Sequence, residues 1–132
     1  DEELYNYIED LWEPFLEWIN LEFNCRLIVN YELFPVEQNK NEISKCISLV
    51  KNFDHFKFSG FSHIVNLTSS FILGLAFLYK KINMHELYEI ALAEELFQIK
   101  KWGSDEISEA RRKNIKKEIS EACEFLNCLQ KK

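Results

Sequence analysis

Phe71-Ile-Leu-Gly-Leu-Ala-Phe-Leu-Tyr79, preceded by Thr68, Ser69 and Ser70, is the only strongly apolar run in this sequence of 132 residues. Spanning a bilayer takes about 20 apolar residues, so the run is too short and reads as a core helix. Around it, from Asp54 to Lys81, the sequence is apolar nearly all round. A helix of that kind is central, because its partners cover every face. Asp54 is placed to cap it by accepting from free amide donors of the first turn. Gly60 and Gly74 mark bends or close helix packing.

Working outward, helical spacing continues in both directions. Upstream, Leu4, Ile8, Leu11, Phe15, Trp18 and Ile19 recur at three- and four-residue steps, an amphipathic stripe. Pro14 interrupts it, and proline is best tolerated in a helix's first turn. That predicts one helix near residues 2–11 and another from about 13 to 24, or one kinked rod. Cys25 to Pro35 is rich in apolar and β-branched residues and predicts a short extended segment near residues 27–35. The polar connector Glu37-Gln-Asn-Lys-Asn41 leads into Ile43, Ile47 and Val50, again at helical steps. Downstream, Asn83 caps a helix carrying Leu87, Ile90 and Phe97 that ends at Gly103. Ser104 and Asp105 then start a last helix running to about Leu129. The expected fold is all-α, a single orthogonal-type bundle of five to seven helices around a buried central one.

Composition narrows the function classes. With 47% hydrophobic and 14% aromatic residues the chain is not disordered. Its 3 Gly and 2 Pro are too few for the tight turns of an all-β domain, and its length suits one domain. The net charge of -6 is unevenly spread: residues 1–37 hold ten acids and one base, while the other 95 hold twelve acids and fifteen bases. An acidic chain is a poor nucleic-acid binder, since phosphates must be met by a basic surface. The densest basic stretch, Arg111-Arg-Lys-Asn-Ile-Lys-Lys117, reads as a solvated helix face supported by Glu109–Lys113 and Lys117–Glu121 pairs. The alternative is a patch for acidic membrane or nucleic acid. No Cys-x-x-Cys motif occurs, and Cys25, Cys46, Cys123 and Cys128 read as free thiols. Residues 1–10 are acidic, unlike a signal peptide, and the chain begins with Asp, as a fragment would.

Little in the sequence resembles chemistry. His55, His63 and His85 are the bases available near neutral pH, but none forms the three- or four-residue spacing of metal-binding helices. A metal-dependent helical hydrolase is therefore the weakest alternative. Phosphate-cradling glycine loops and nucleophile elbows are absent. Glu94 and Glu95 are adjacent, so on a helix they diverge by about 100° and do not share a proton easily. An enzyme is not expected. More distinctive is Glu94-Glu-Leu-Phe-Gln-Ile-Lys-Lys-Trp-Gly103, in which Glu95, Gln98 and Trp102 share one helix face. Tryptophan is a frequent interface anchor, and flanking Glu and Gln add directional polar contacts.

At these residues the sequence resembles the assembly chaperones of the alpha subunit of F-type ATP synthase, the ATP synthase assembly factor 2 family. The similarity runs from about Leu11 to Glu106 and more loosely to the end. It rests on Trp12-Glu-Pro14 followed by Trp18, on Leu67-Thr-Ser-Ser-Phe-Ile-Leu-Gly-Leu-Ala76, and on Glu94-Glu-x-x-Gln98-x-x-x-Trp102-Gly103. Trp102-Gly-Ser-Asp-Glu106 looks more like the alphaproteobacterial members than the animal ones. Two departures are Ser69, where many members have glycine, and Glu94, where bacterial members tend to have aspartate.

The resemblance implies a protein that binds the unassembled alpha subunit, shields its interface and promotes assembly of the catalytic hexamer. It implies no enzymatic activity and no cofactor. It also implies that residues 1–132 are the helical C-terminal domain of a two-part protein whose β-rich N-terminal domain is not in this chain. The partner-binding residues it points to are Glu94, Glu95, Gln98, Trp102, Asp105 and Glu106. The expected partner is the alpha subunit, with no nucleic acid and no stable membrane insertion, for a monomer in an alphaproteobacterial cytoplasm or a mitochondrial matrix.

Overall fold

The computed structural model describes residues 2–27 and 38–130, and these form seven helices with no strand among the described residues. They are α1 (Glu2–Phe23), α2 (Lys40–Val50), α3 (His55–Thr68), α4 (Phe71–Leu78), α5 (Met84–Ala91), α6 (Ala93–Trp102) and α7 (Glu106–Gln130). The all-α expectation holds. The extended segment expected near residues 27–35 lies, beyond Leu27, outside the described residues. The chain divides into two compact units, Asp1–Phe53 and Asp54–Lys132.

In the first unit, α1 runs unbroken through Pro14, so two separate helices do not form. Proline deprives the Asp10 carbonyl of its usual donor, but Asp10 and Pro14 are both exposed, and water can satisfy that oxygen. The apolar stripe also stays in register across the proline, so both halves bury one side, with Leu4 and Ile19 buried. After α1, Asn24 takes a left-handed conformation (φ 54) and turns the chain back. A small clasp then ties this turn to α2. The Arg26 amide donates to Glu42 Oε2 at 2.7 Å, and Lys45 Nζ donates to the Asn24 carbonyl at 2.9 Å. Cys25 Sγ lies 3.2 Å from Cys46 Sγ, both of them free buried thiols. The Arg26 amide, above all, holds the Glu42 carboxyl below its ordinary range.

The second unit is built around α4, in which every residue from Ile72 to Leu78 is buried. Burying a large aliphatic or aromatic side chain contributes about 1.5–3 kcal/mol, so this short helix is the centre of the core. α3 packs against α4 and α7, and α5 against α4, α6 and α7. Phe61 and Ile64 of α3, Leu87 of α5, and Ile119, Cys123 and Leu126 of α7 complete the interior.

One long central helix over Asp54–Lys81 does not form. It breaks at Ser69, which is left-handed at φ 56. Ser70 then caps α4, its Oγ accepting from the Leu73 amide at 3.1 Å, while Thr68 Oγ1 donates to the Ile64 carbonyl at 2.8 Å. Three consecutive hydroxyl residues offer the backbone local partners that compete with the helical ladder. The Asp54 cap forms as expected, accepting from the Lys57 amide at 2.8 Å. Asn83 makes a full capping box with Glu86. The helix expected from Asn83 to Gly103 is interrupted at Leu92 (φ -107, ψ 20), giving α5 and α6. Ala91, Leu92 and Ala93 favour helix locally, so this break is set by packing, with Leu87 and Ala93 both buried.

Candidate functional site

α6 carries Glu94 and Glu95 in its first turn, where the positive end of the helix dipole favours carboxylates, and Lys100 and Lys101 in its last. Gly103 ends it at φ 80, with its amide donating to the Ile99 carbonyl at 2.8 Å. That left-handed angle is open to glycine at no steric cost. After the turn, Asp105 starts α7. Its Oδ1 accepts from the Ser108 amide at 2.7 Å and its Oδ2 from the Ser108 hydroxyl at 3.1 Å. The Ser108 amide is the main reason the Asp105 carboxyl lies below its ordinary range.

The two helices are fastened by arginines. Arg112, only 8% exposed, donates through Nη1 to Glu95 Oε1 at 3.0 Å and through Nη2 to Ser104 Oγ at 2.6 Å. Arg111 donates to the other oxygen of the same carboxylate. Glu95 is thus held by two guanidinium groups, and the Arg111 bond is the largest cause of its lowered pKa. A carboxylate so held stays ionised at neutral pH and is a poor general acid or base.

The six residues implicated by the sequence divide in two. Glu95 and Asp105 are engaged within the fold, one in the arginine clamp and the other as a helix cap. Glu94, Gln98, Trp102 and Glu106 are exposed. Glu94, Glu95 and Gln98 line one shallow hollow of about 260 Å³ with Ala91 and Leu92. Trp102 stands at the end of α6 with 84% of its surface in water, and Ile107, on the first turn of α7, is equally bare. Both stand beside the polar side chains of the α6–α7 corner, Glu94, Gln98 and Glu106, which are exposed as well.

Arg111 and Arg112 are the residues that sequence reasoning missed as part of this site. Their partner is sixteen and seventeen positions away, and no periodic pattern reports such a pair. Among the described residues no ion pair joins Glu109 to Lys113 or Lys117 to Glu121. Exposed pairs of that kind are worth only about 0.3–0.5 kcal/mol, too little to fix two long side chains. His55, His63 and His85 are all exposed, and no group of three His, Cys, Asp or Glu side chains among the described residues could hold a metal. No helix among them is long and apolar enough to cross a membrane.

The class is therefore an all-α scaffold, seven helices among the described residues, with a clamped α6–α7 corner that carries an exposed indole. Solved structures give that class a closer likeness. Atp12 from Paracoccus denitrificans superposes with a TM-score of 0.90 at 26% identity, covering 96% of this chain and 55% of that one. An aspartate-to-lysine variant of P. denitrificans Atp12p gives the same TM-score and identity over 54% of its chain. The Atu1473 protein of Agrobacterium tumefaciens, proposed to be a chaperone, shares the fold at a TM-score of 0.84 and 24% identity, covered over 47% of its length. The chain spans about half the length of these proteins. No family model and no curated protein matches the sequence. The resemblance to ATP synthase assembly factor 2 is thus carried into three dimensions: this is an Atp12-type helical fold.

Proposed function

We propose that the chain is the helical part of an ATP synthase assembly chaperone and that it binds the unassembled alpha subunit. Residues 1–132 correspond, in this reading, to the C-terminal domain of a two-part protein working in a bacterial cytoplasm or a mitochondrial matrix. The observation that carries the reading is the superposition on Atp12 across 96% of this chain. An unassembled subunit exposes surface that its true partner later covers, and a protein bound there keeps it from aggregating. Such a chaperone must leave when that partner arrives. A wet face of carboxylate and amide groups around one indole gives moderate, competable affinity, where a broad apolar patch would hold on. The role is one of binding, without catalysis or cofactor.

Glu94, Gln98, Trp102 and Glu106 are assigned to the alpha subunit directly. Glu95 and Asp105 position them, by closing the α6–α7 corner and starting α7. The test is co-expression with the alpha subunit followed by pull-down. Wild type captures it, whereas Trp102→Ala and Glu94→Lys lower capture at least tenfold and keep wild-type helicity by circular dichroism. Full capture by both variants refutes the site, and a wild type that captures nothing refutes the partner.

A further inference from the structure

A second concave surface lies between α5 and α7, away from the Glu94–Gln98 hollow. It is a cavity of about 330 Å³, at the small end of the range of ligand pockets. Met84 and Tyr88 of α5 give it an apolar lining above the buried Ile119 of α7, and Lys113, Lys116 and Lys117 stand around it. All three lysines are exposed, and among the described residues none of them has an ion-pair partner. The Lys116 ammonium lies 5.4 Å from the centre of the Tyr88 ring, a cation–π contact that holds it over the apolar part. His85, also in the lining, pairs with Glu89 one turn along α5 at 3.0 Å. Three cations without an ion-pair partner among the described residues thus stand around an apolar hollow.

We propose that this pocket is a peptide-binding site, taking a large apolar side chain flanked by carboxylates. The apolar side chain fills the space over Met84 and Tyr88, and the lysines meet the flanking acids. Charge complementarity selects an anionic occupant. The concavity selects a peptide over a bilayer, because a flat anionic surface would touch the lysine rim and leave the cavity floor empty. It also selects against single-stranded nucleic acid, which binds through aromatic platforms open for stacking, whereas Tyr88 is half-buried beneath Lys116.

The test is an anisotropy titration of the chain with a fluorescent peptide holding one phenylalanine between two pairs of aspartates. Saturable binding is expected. It weakens at least tenfold for the triple variant Lys113→Glu, Lys116→Glu, Lys117→Glu, whose exposed positions leave the core intact. It weakens as much for a peptide with serine in place of phenylalanine. Absence of saturable binding overturns the proposal, as does equal affinity of the lysine variant or of the serine peptide. So does binding to phosphatidylglycerol vesicles that the peptide fails to displace, which would make the patch a membrane contact. None of these outcomes bears on capture of the alpha subunit, which is assigned to other residues.

Discussion

Glu95 shows how much one side chain can depend on groups distant in sequence. Its carboxylate is held by Arg111 and Arg112, so its pKa lies below the ordinary value. A group depressed in this way adds stability that is present above about pH 4.3, the unfolded value. That contribution is lost as pH falls through the lower folded value. Denaturant titrations from pH 6 to pH 3 should therefore show wild type losing more stability than Glu95→Gln, which carries no titrating group there. Parallel losses in the two proteins would mean that the clamp contributes nothing. Ser69 presents the opposite case, a residue at odds with its backbone. At φ 56 a side chain costs roughly 1 kcal/mol that glycine does not incur. Ser69→Gly should raise stability by about 0.5–1 kcal/mol, read as a higher midpoint in urea. An unchanged or lower midpoint would show that the hydroxyl is needed in the α3–α4 turn. The cysteines separate just as plainly. Burial pushes the thiols of Cys46 and Cys123 up to about 12, while Cys128 is exposed. Iodoacetamide at pH 8 should label Cys128 first, and mass mapping that finds Cys123 labelled as fast would contradict that burial.

Helices separate into those whose ends the sequence declares and those whose ends only packing decides. Asp54, Asn83, Gly103 and Asp105 were legible because capping is a local interaction, and each caps or ends a helix as read. The Thr68-Ser-Ser70 stop was visible too, but the apolar residues around it suggested one continuous helix. Hydrophobicity on all sides reports burial, and burial of the segment is shared by two helices. The break at Leu92 had no local signal, since it re-aims a chain of good helix formers. For the same reason the motif of α6 could be placed on one face, while the arginines that close that face could not. Of the two roles open to Gly60 and Gly74, bends or close helix packing, the structure gives them the second. A Cβ on Gly60 would come within 2.7 Å of Leu126 Cδ2 and 2.9 Å of Phe125 Cδ1, across α3 and α7. One on Gly74 would come within 2.9 Å of Phe61 and Val65, across α3 and α4. Alanine gains about 1 kcal/mol in helix propensity, yet Leu126 and Phe61 are buried and have little room to yield. Overpacking of this kind costs about 1–3 kcal/mol. Gly60→Ala should be destabilising by up to about 2 kcal/mol in thermal or urea unfolding, and a stabilised variant would show that α3 and α7 part easily.

At the scale of the molecule, charge and core are divided between the same two units. Asp1–Phe53 carries eleven acids and four bases, whereas Asp54–Lys132 carries eleven acids and twelve bases. The acidic bias that made the chain a poor nucleic-acid binder thus belongs to the first unit, and both candidate binding surfaces belong to the second. The cores differ as sharply. In the first unit the buried apolar side chains are Leu4, Ile19, Cys25 and Cys46 among the described residues, and the second unit holds all the others. What the described residues of the first unit bury is too little to offset the ordering entropy of their own backbone, roughly 1–2 kcal/mol per residue. Residues 54–132 should therefore fold alone, with helical circular dichroism and one cooperative unfolding transition. Residues 1–53 alone should lack a cooperative transition. A cooperative transition in the short fragment, or a non-cooperative one in the long fragment, would show that stability does not follow this division. If the long fragment folds, it should also keep the α5–α7 pocket and bind the acidic phenylalanine peptide as the whole chain does. The Glu94–Trp102 face can then be assayed free of the acidic unit, whose carboxylates would otherwise contribute to any charged partner's affinity.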